Sequence, residues 1–311
     1  MKQKPKVLVI LGPTATGKSH CAIEIAKRFN GEIISGDSML VYKNMNIGTA
    51  KPTAAELADV PHHLVDILPP AAAFSVVDFK EQAARLIGEI NARKKLPIIA
   101  GGTGLYIKAL LEDYAFNSVS ASSELRLSLE REAQVKGALA LHARLAQLAP
   151  QEAERIHPNN VRRVIRALES ALQGEAVNQY TAKESPYDAV VIGLTMERQA
   201  LYERINRRVD LMLAAGLEQE VRALLAQGVS ADCQSMQSIG YRQMVWYIND
   251  GIDYNAAVDK LKQATRNFAK RQITWYKKMP YINWLQLDDE PDYGKAVAAI
   301  AKILVESGFS V

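Results

Sequence analysis

Residues 12–19, GPTATGKS, contain two glycines, a lysine and a serine at the spacing Gly-x-x-x-x-Gly-Lys-Ser. Gly12 and Gly17 allow the backbone to wrap, so that successive amide N–H groups point toward phosphate oxygens. Lys18 supplies a point charge, and Ser19 supplies a hydroxyl suited to Mg²⁺. The motif therefore predicts a site for a phosphorylated ligand. Because the loop binds phosphate groups rather than a nucleoside, a nucleotide and a diphosphate ester both satisfy it.

Asp37 and Thr103 lie in two further loops, SGDSMLVY and GGTGLY. A carboxylate beside a phosphate loop is costly to desolvate unless it is used or paired. Asp37 can be a metal ligand, a general base or a turn residue. As a base it would remove a proton from a nucleophile while Lys18 holds the leaving group, which suits alkyl transfer from a diphosphate. Thr103 can form a hydrogen bond with the same nucleophile, or it can be an ordinary turn residue.

Two basic clusters occur in the second half of the chain. Residues 260–278, KLKQATRNFAKRQITWYKK, carry seven positive charges and no acidic residue, with three aromatic residues interleaved. Cations combined with aromatic rings are typical of single-stranded nucleic-acid binding. Arg162, Arg163 and Arg166 form the second cluster, in a predicted helix that places the first and last on one face. Each cluster alone can be a solvated helix surface, but the two together favour an acidic polymer as partner.

The predicted strands place the first three of these features at one edge of a sheet. Strands are predicted at residues 7–11, 32–35, 63–68, 96–100 and 189–195, and helices between them include 20–29 and 75–95. Short apolar strands separated by helices predict a parallel sheet that is covered on both faces and binds ligands at the carboxyl ends of its strands. We therefore expect an α/β fold, a P-loop NTPase-like parallel sheet flanked by helices, with an α-helical insertion domain.

Composition and length are those of a globular protein with two domains, at 311 residues, 48% hydrophobic and 23% charged. Residues 117–188 are rich in Ala, Leu, Arg and Glu at helical spacing. We predict that residues 1–116 and 189–311 form the P-loop core domain with C-terminal basic helices, and that 117–188 form the insertion.

Several classes of protein are disfavoured. Cys21 and Cys233 are too few for a disulfide framework and lack the paired spacing of a zinc site. The first apolar run is shorter than a secretory leader requires, and no stretch approaches the roughly 18 apolar residues of a membrane span. We therefore expect a cytoplasmic protein with no membrane partner. His62 and His63 are adjacent, so on a strand they face opposite sides and favour structural roles.

Seven segments in order resemble the bacterial tRNA dimethylallyltransferases, also called tRNA isopentenyltransferases. They are GPTATGKS, SGDSMLVYKNMNIGTAKP, PHHLVDI, GGTGLY, HPNNVRRVIRALE, SIGYRQ and TRNFAKRQITWYKK. The resemblance implies transfer of the dimethylallyl group from dimethylallyl diphosphate to the exocyclic N6 amine of the adenine 3′ of the anticodon, with release of pyrophosphate. It implies the tRNA anticodon stem-loop as partner, contacted in part by the insertion domain. It also implies Mg²⁺ as cofactor and a monomeric enzyme.

The resemblance also implies roles for individual residues in the reaction. Asp37 is the implied general base, Thr103 orients the adenine, and Lys18 stabilises the departing pyrophosphate together with the loop amides and Mg²⁺. Ser19 is the implied metal ligand. The implied diphosphate ligands are Gly12, Pro13, Thr14, Ala15, Thr16, Gly17, Lys18, Ser19 and Arg208.

Four stretches match the tRNA-contacting segments of that family. They are Asp37, Ser38, Met39 and Leu40; Arg162, Arg163, Val164, Ile165 and Arg166; Gln237, Ser238, Ile239, Gly240, Tyr241 and Arg242; and Lys270, Arg271, Gln272, Ile273, Thr274, Trp275, Tyr276 and Lys277. Position 40 is Leu where many relatives carry Gln.

Two alternatives belong to other functional classes. A P-loop small-molecule or nucleotide kinase uses the same loop and predicts ATP turnover without RNA, but it leaves residues 260–278 unexplained. An RNA-binding protein with an inert or regulatory nucleotide loop predicts RNA binding without any prenylated product.

Overall fold

One parallel sheet of six strands organises the larger part of the chain. The computed structural model describes residues 4–114, 123–173 and 184–309. Within them the strand order is β3-β2-β4-β1-β5-β6, and every neighbouring pair is parallel. The strands are β1 Lys6–Leu11, β2 Gly31–Ser35, β3 His62–His63, β4 Leu96–Gly101, β5 Asp188–Met196 and β6 Asn283–Leu287. The predicted α/β class with a parallel sheet is confirmed.

Nine helices accompany the strands in this part of the chain. They are α1 Lys18–Arg28, α2 Ala54–Asp59, α3 Val76–Ala92, α4 Gly104–Leu111, then α9 Arg198–Ala214, α10 Leu217–Ala226, α11 Tyr241–Asn249, α12 Tyr254–Tyr276 and α13 Tyr293–Glu306. In the described part of the chain, none of these helices combines the length and apolar character that a bilayer span requires.

The chain divides into two compact units, Met1–Asp113 with Glu184–Val311, and Tyr114–Lys183. The second unit holds four helices, α5 Ser123–Lys136, α6 Ala138–Leu148, α7 Pro150–Arg155 and α8 Val161–Leu172. The predicted boundary between residues 116 and 117 lies outside the described residues. The predicted insertion ends at Asp188, which is the first residue of β5. Contact of the second unit with tRNA stays a prediction.

The central strand β1 is buried on both faces because helices cover both sides of the sheet. Val7, Val9 and Leu11 belong to one apolar core, which α3, α4, α10, α11 and α12 complete. Leu8 and Ile10 point to the opposite core, which α1, α9 and α13 complete. An unbroken apolar run is what a parallel strand covered on both faces requires. The carboxyl end of β1 is therefore held rigidly, and the GPTATGKS loop begins there.

Helix boundaries follow local capping. Ser75 and Asp78 form the predicted capping box, in which the Ser75 hydroxyl accepts from the Asp78 amide and the Asp78 carboxylate accepts from the Ser75 amide. The predicted helix 75–95 ends at Ala92, three residues earlier than predicted, and β4 begins at Leu96. The first helix begins at Lys18, two residues before the prediction, because the phosphate loop leads directly into it.

The strands of the structure differ from the predicted strands in two places. The predicted strand 63–68 is wrong beyond His63, since Leu64 and Asp66 adopt φ angles of 60° and 54°, which interrupt an extended chain. The segment touches its neighbour again only through an isolated bridge between Tyr42 and Leu68. Strand β6 was not predicted. It is an edge strand, and three of its five residues are exposed, so its apolar pattern is weak.

Glu32 forms a buried ion cluster at the end of the sheet near β3. Its carboxylate lies 2.7 Å from His63 Nε2, 2.7 Å from an Arg93 guanidinium nitrogen and 3.0 Å from Lys95 Nζ. Burial raises the pKa of Glu32, but the hydrogen bonds from these three donors outweigh burial and lower the pKa to about 2. His62 Nδ1 lies 2.7 Å from the Val60 carbonyl oxygen, so both histidines have structural partners.

Glu32→Gln is therefore expected to destabilise the protein in a pH-dependent way. A carboxyl whose folded pKa is lowered contributes stability above its unfolded pKa, and that contribution is lost as the pH falls toward the folded value. The loss in free energy of unfolding is expected to be about 2 kcal/mol at pH 7 and to shrink between about pH 5 and pH 3. Urea unfolding at several pH values measures it.

The matched control is Glu24→Gln, because Glu24 pairs with Lys27 at 3.5 Å and both side chains are more than 40% exposed. This change is expected to alter stability by less than about 0.5 kcal/mol. A destabilisation by Glu32→Gln that stays constant from pH 7 to pH 3 would contradict the assignment.

Candidate active site

The phosphate loop follows β1 and leads into α1. Gly12, Ala15 and Gly17 have φ angles of 154°, 67° and 82°, so the backbone turns repeatedly through conformations that favour glycine. A Cβ on Gly12 would lie 2.5 Å from the Leu194 carbonyl oxygen, and a Cβ on Gly17 would lie 2.2 Å from the Tyr293 ring. Both glycines of the motif are therefore required by conformation and by space.

Side chains hold the carbonyl groups of this loop. The buried Thr16 hydroxyl donates to the Pro13 carbonyl at 2.9 Å, and Lys18 Nζ donates to the same oxygen at 2.8 Å. Arg204 donates to the Ala15 carbonyl at 3.1 Å and to the Tyr293 hydroxyl at 2.7 Å. These side-chain hydrogen bonds therefore stabilise the conformation of the loop. Ser19 lies in the first turn of α1 and is exposed.

Lys18, Arg208 and Asp37 interact electrostatically at the carboxyl end of the sheet. Desolvation and the neighbouring Arg208 lower the pKa of Lys18 to about 7, while Asp37 acts in the opposite direction. Desolvation also lowers the pKa of Arg208, and Asp37 again opposes the shift. A site with two cationic groups and one carboxylate has an excess of positive charge. An anion bound there would stabilise both cations.

The loops after β2 and β4 bring Asp37 and Thr103 together. The Gly36 amide donates to the Ala100 carbonyl at 2.8 Å, and the Thr103 amide donates to the Gly36 carbonyl at 3.2 Å. The Ser38 amide in turn donates to Thr103 Oγ1 at 3.2 Å. The half-buried Asp37 accepts from the amide of Met39 at 2.8 Å, so its carboxylate is oriented by its own loop.

Helix α12 contributes polar side chains to the same edge of the sheet. Gln272 Oε1 accepts from the Thr14 amide at 3.0 Å, and its Nε2 donates to the Gly102 carbonyl at 2.8 Å. The buried Tyr276 hydroxyl donates to the Gly102 carbonyl at 2.7 Å. Trp275 fills the space beside Gly104, where an added Cβ would be 2.2 Å from the indole ring. The exposed residues of this stretch are Lys270, Arg271, Thr274 and Lys277.

The other predicted tRNA-contacting stretches divide into exposed and buried residues. In the helical unit, Val164 and Ile165 are buried in its apolar core, so the exposed residues of that stretch are Arg162, Arg163 and Arg166. This surface is basic.

In the predicted stretch 237–242, Gly240 and Tyr241 are buried, and Gln237 is exposed. The Tyr241 hydroxyl donates to Glu220 Oε1 at 2.5 Å, and Glu220 also accepts from the amides of Ile47 and Gly48. The Arg242 guanidinium lies 5.3 Å from the centre of the Trp246 ring. Through Glu220, the buried Tyr241 therefore stabilises the position of residues 46–48 within the larger unit.

The structure brings together Lys18, Arg208, Asp37 and Thr103, which were all predicted as site residues. Sequence reasoning missed the contacts of Arg204 and Tyr293 with the phosphate loop. It also missed the inward orientation of Gln272 and Tyr276. The last two are four residues apart in a helix and so share a face, which is the one signal that could have separated them from their basic neighbours.

The fold and site define an α/β protein of the P-loop type with a carboxylate beside the phosphate loop. The IPP transferase family model matches residues 40–279. The chain belongs to this family.

Similar proteins extend over nearly the whole chain. A tRNA dimethylallyltransferase of Halalkalibacterium halodurans is 46% identical over 302 residues, which is 96% of this chain and 96% of that protein. One from Bacillus subtilis is 47% identical and covers 93% of each chain. The crystal structure of a tRNA isopentenylpyrophosphate transferase from Bacillus halodurans matches with a TM-score of 0.75 at 45% identity, covering 98% of this chain and 97% of that one. A eukaryotic dimethylallyltransferase acting on tRNA matches with a TM-score of 0.79 at 25% identity, covering 97% of this chain and 80% of that one.

Gly101→Ala is expected to destabilise the protein by about 1–3 kcal/mol, as overpacking does. A Cβ at position 101 would lie 2.2 Å from the Gly36 backbone, and backbone atoms cannot rotate away. The matched control is Gly88→Ala in α3, where an added Cβ meets nothing within 4 Å. The control is expected to be neutral or stabilising by up to about 1 kcal/mol. Urea midpoints measure both, and equal midpoints for the two variants would contradict the tight crossing of the β2 and β4 loops.

Proposed function

We propose that this protein transfers the dimethylallyl group from dimethylallyl diphosphate to the exocyclic N6 amine of the adenine 3′ of the anticodon in tRNA. The observation that carries the proposal is that Lys18 of the phosphate loop and Arg208 of α9 both interact with Asp37, whose loop is hydrogen-bonded to Thr103. The names of the relatives support this reaction over that of a kinase.

The donor end of the site is the phosphate loop. As the C1–O bond of dimethylallyl diphosphate breaks, both electrons of that bond leave with the pyrophosphate. Lys18, Arg208 and the loop amides are donors suited to this developing negative charge, and the positive end of α1 adds to them. The Ser19 hydroxyl and the oxygens of the diphosphate suit Mg²⁺, because this ion usually takes few protein ligands when it binds phosphates. When bound, Mg²⁺ would neutralise negative charge on the leaving group.

The acceptor end consists of Asp37 and Thr103. The adenine N6 forms a bond to C1 of the prenyl group and loses one proton, which the Asp37 carboxylate accepts. The Met39 amide holds one Asp37 oxygen at 2.8 Å, which keeps the carboxylate in place for that transfer. Thr103 Oγ1 accepts from the Ser38 amide beside Asp37, which supports a role for its hydroxyl as a hydrogen-bond donor to the adenine. An allylic diphosphate ionises readily, so water must be kept from the reacting carbon.

Each of the two units carries exposed cations that suit RNA. Lys270 and Arg271 on α12 and Lys277 directly after it, and separately the arginines of α8, can neutralise phosphates of an anticodon stem-loop. The adenine must leave its stack to reach Asp37, as nucleic-acid bases do in enzymes that modify them. We further propose that the enzyme acts in the cytoplasm as a monomer.

One incubation tests the proposed function. The protein is mixed with unmodified tRNA and either dimethylallyl diphosphate labelled in its prenyl group or ATP labelled in its γ-phosphate. Prenyl label is expected in RNA, and digestion of that RNA is expected to locate it at the adenine 3′ of the anticodon. Label from ATP in a small molecule, with no prenyl label in RNA, would overturn the proposal in favour of a kinase.

Asp37→Ala is expected to lower the single-turnover rate of prenyl transfer by about 10²-fold or more, as loss of a general base does. The affinity for tRNA is expected to change much less. The control is Asp259→Ala, which removes an exposed carboxylate from α12. An unchanged single-turnover rate for Asp37→Ala would show that another group accepts the proton.

Replacing Lys270 and Arg271 by Ala is expected to weaken tRNA binding and to flatten its dependence on salt by about one unit of slope for each lost phosphate contact. Filter binding at several salt concentrations measures the slope. The control replaces Lys295 and Lys302 on α13, whose side chains are 80% and 76% exposed. If the salt dependence of tRNA affinity has the same slope in both double variants, Lys270 and Arg271 do not contact tRNA phosphates.

A further inference from the structure

Gln272 is a buried polar side chain beside exposed basic residues of α12. It is 5% exposed, whereas its neighbours Lys270 and Arg271 are exposed. The tRNA-contacting role implied for the whole stretch therefore does not suit Gln272 itself. A buried amide needs hydrogen-bond partners, and those of Gln272 belong to the two loops between which the reaction takes place.

The two ends of the Gln272 amide bond two different loops. Its Oε1 accepts from the Thr14 amide of the phosphate loop at 3.0 Å. Its Nε2 donates to the Gly102 carbonyl at 2.8 Å, one residue before Thr103. A neutral carboxamide offers one acceptor and one donor group at a fixed spacing, so these contacts fix the distance between the loops.

The loop after β4 approaches Gln272 as closely as glycine allows. A Cβ on Gly102 would lie 2.4 Å from Gln272 Nε2, and the next atom outside Gln272 would be 4.0 Å away. Tyr276, one turn further along α12, donates to the same Gly102 carbonyl at 2.7 Å. The Gly102 carbonyl is therefore held from one side by two side chains of α12.

The same contacts connect the donor and acceptor ends of the site. Thr14 belongs to the loop assigned to the pyrophosphate, and Thr103 accepts from the Ser38 amide next to Asp37. A displacement of about 1 Å between reacting groups can lower a rate by about 10²-fold even when both substrates stay bound.

We propose that Gln272 is a positioning residue that sets the distance between the phosphate loop and the Thr103 turn, and thereby aligns the prenyl diphosphate with the adenine amine. This inference rests on the proposed function. Gln272 acts through the two loops and touches neither reacting atom. Its contribution is therefore expected in the rate of the chemical step, with little effect on the binding of either substrate.

The first test separates rate from affinity. Gln272→Ala, and Gln272→Met as a variant of similar volume, are expected to lower the single-turnover rate of prenyl transfer to tRNA by about 10²-fold. The dissociation constants of dimethylallyl diphosphate without tRNA, and of tRNA without the donor, are expected to change by less than about threefold. Gln263→Ala is the matched control, because Gln263 is exposed on the same helix. Thermal unfolding verifies that each variant is folded.

The second test is a double-mutant cycle with Gly102→Ala. The added methyl group would collide with Gln272 Nε2, so Gly102→Ala alone is expected to lower the chemical rate. In the Gln272→Ala background the collision is removed, and the double variant is expected to stay within about twofold of Gln272→Ala. Two rate losses that multiply instead would overturn the coupling of the two loops through this side chain.

The outcomes distinguish this inference from the function on which it rests. If the wild-type protein transfers no prenyl group to tRNA, the proposed function fails and this inference fails with it. If the wild type is active and both folded Gln272 variants react at the wild-type rate, only this inference is overturned. A rate loss that is matched by an equal loss of donor affinity also overturns it, because Gln272 would then serve binding.

Discussion

Two cationic groups and one carboxylate interact at the carboxyl ends of parallel strands, and their imbalance of charge governs the site. Lys18 and Arg208 repel each other, and the single Asp37 does not compensate for both. Two desolvated cations in one place are unfavourable unless an anion joins them. The proposed diphosphate would supply that anion, and it would meet the amides of a loop whose carbonyl groups are already bonded to side chains. The rest of the larger unit keeps this arrangement fixed.

Helix α12 connects the loops of this site to an exposed basic surface. Its exposed residues include Lys270 and Arg271, while Gln272 and Tyr276 form hydrogen bonds with the loops after β1 and β4. A single rigid helix can thus orient a polyanionic substrate on its outer surface and hold the loops of the reaction site with its inner one. The apolar residues Leu261 and Ala269 of the same helix lie in the two cores on opposite sides of the sheet, which fixes the helix against both.

Much of this site could be predicted from the sequence, because the motif residues are contiguous and each follows a recognisable buried strand. The unbroken apolar run before Gly12 and the glycines around Thr103 are local signals, and the structure places both loops at the same edge. Contacts over 258 and 170 residues, such as those of Gln272 with Thr14 and Gly102, leave no local signal. The prediction of a strand at 63–68 failed for a related reason. The positive φ at Leu64 results from tertiary structure, which local residue propensities do not encode. Edge strand β6 lacks a buried pattern to recognise.

A competition experiment in the presence of Mg²⁺ and the absence of tRNA tests whether the phosphate loop binds the prenyl diphosphate rather than ATP. Labelled dimethylallyl diphosphate is bound to the protein, and inorganic pyrophosphate or ATP is added as competitor. We expect that pyrophosphate displaces the label, that ATP displaces it only at much higher concentration, and that Lys18→Met weakens donor binding by at least about tenfold. Saturable binding of ATP, with no binding of dimethylallyl diphosphate that Lys18 influences, would contradict this expectation.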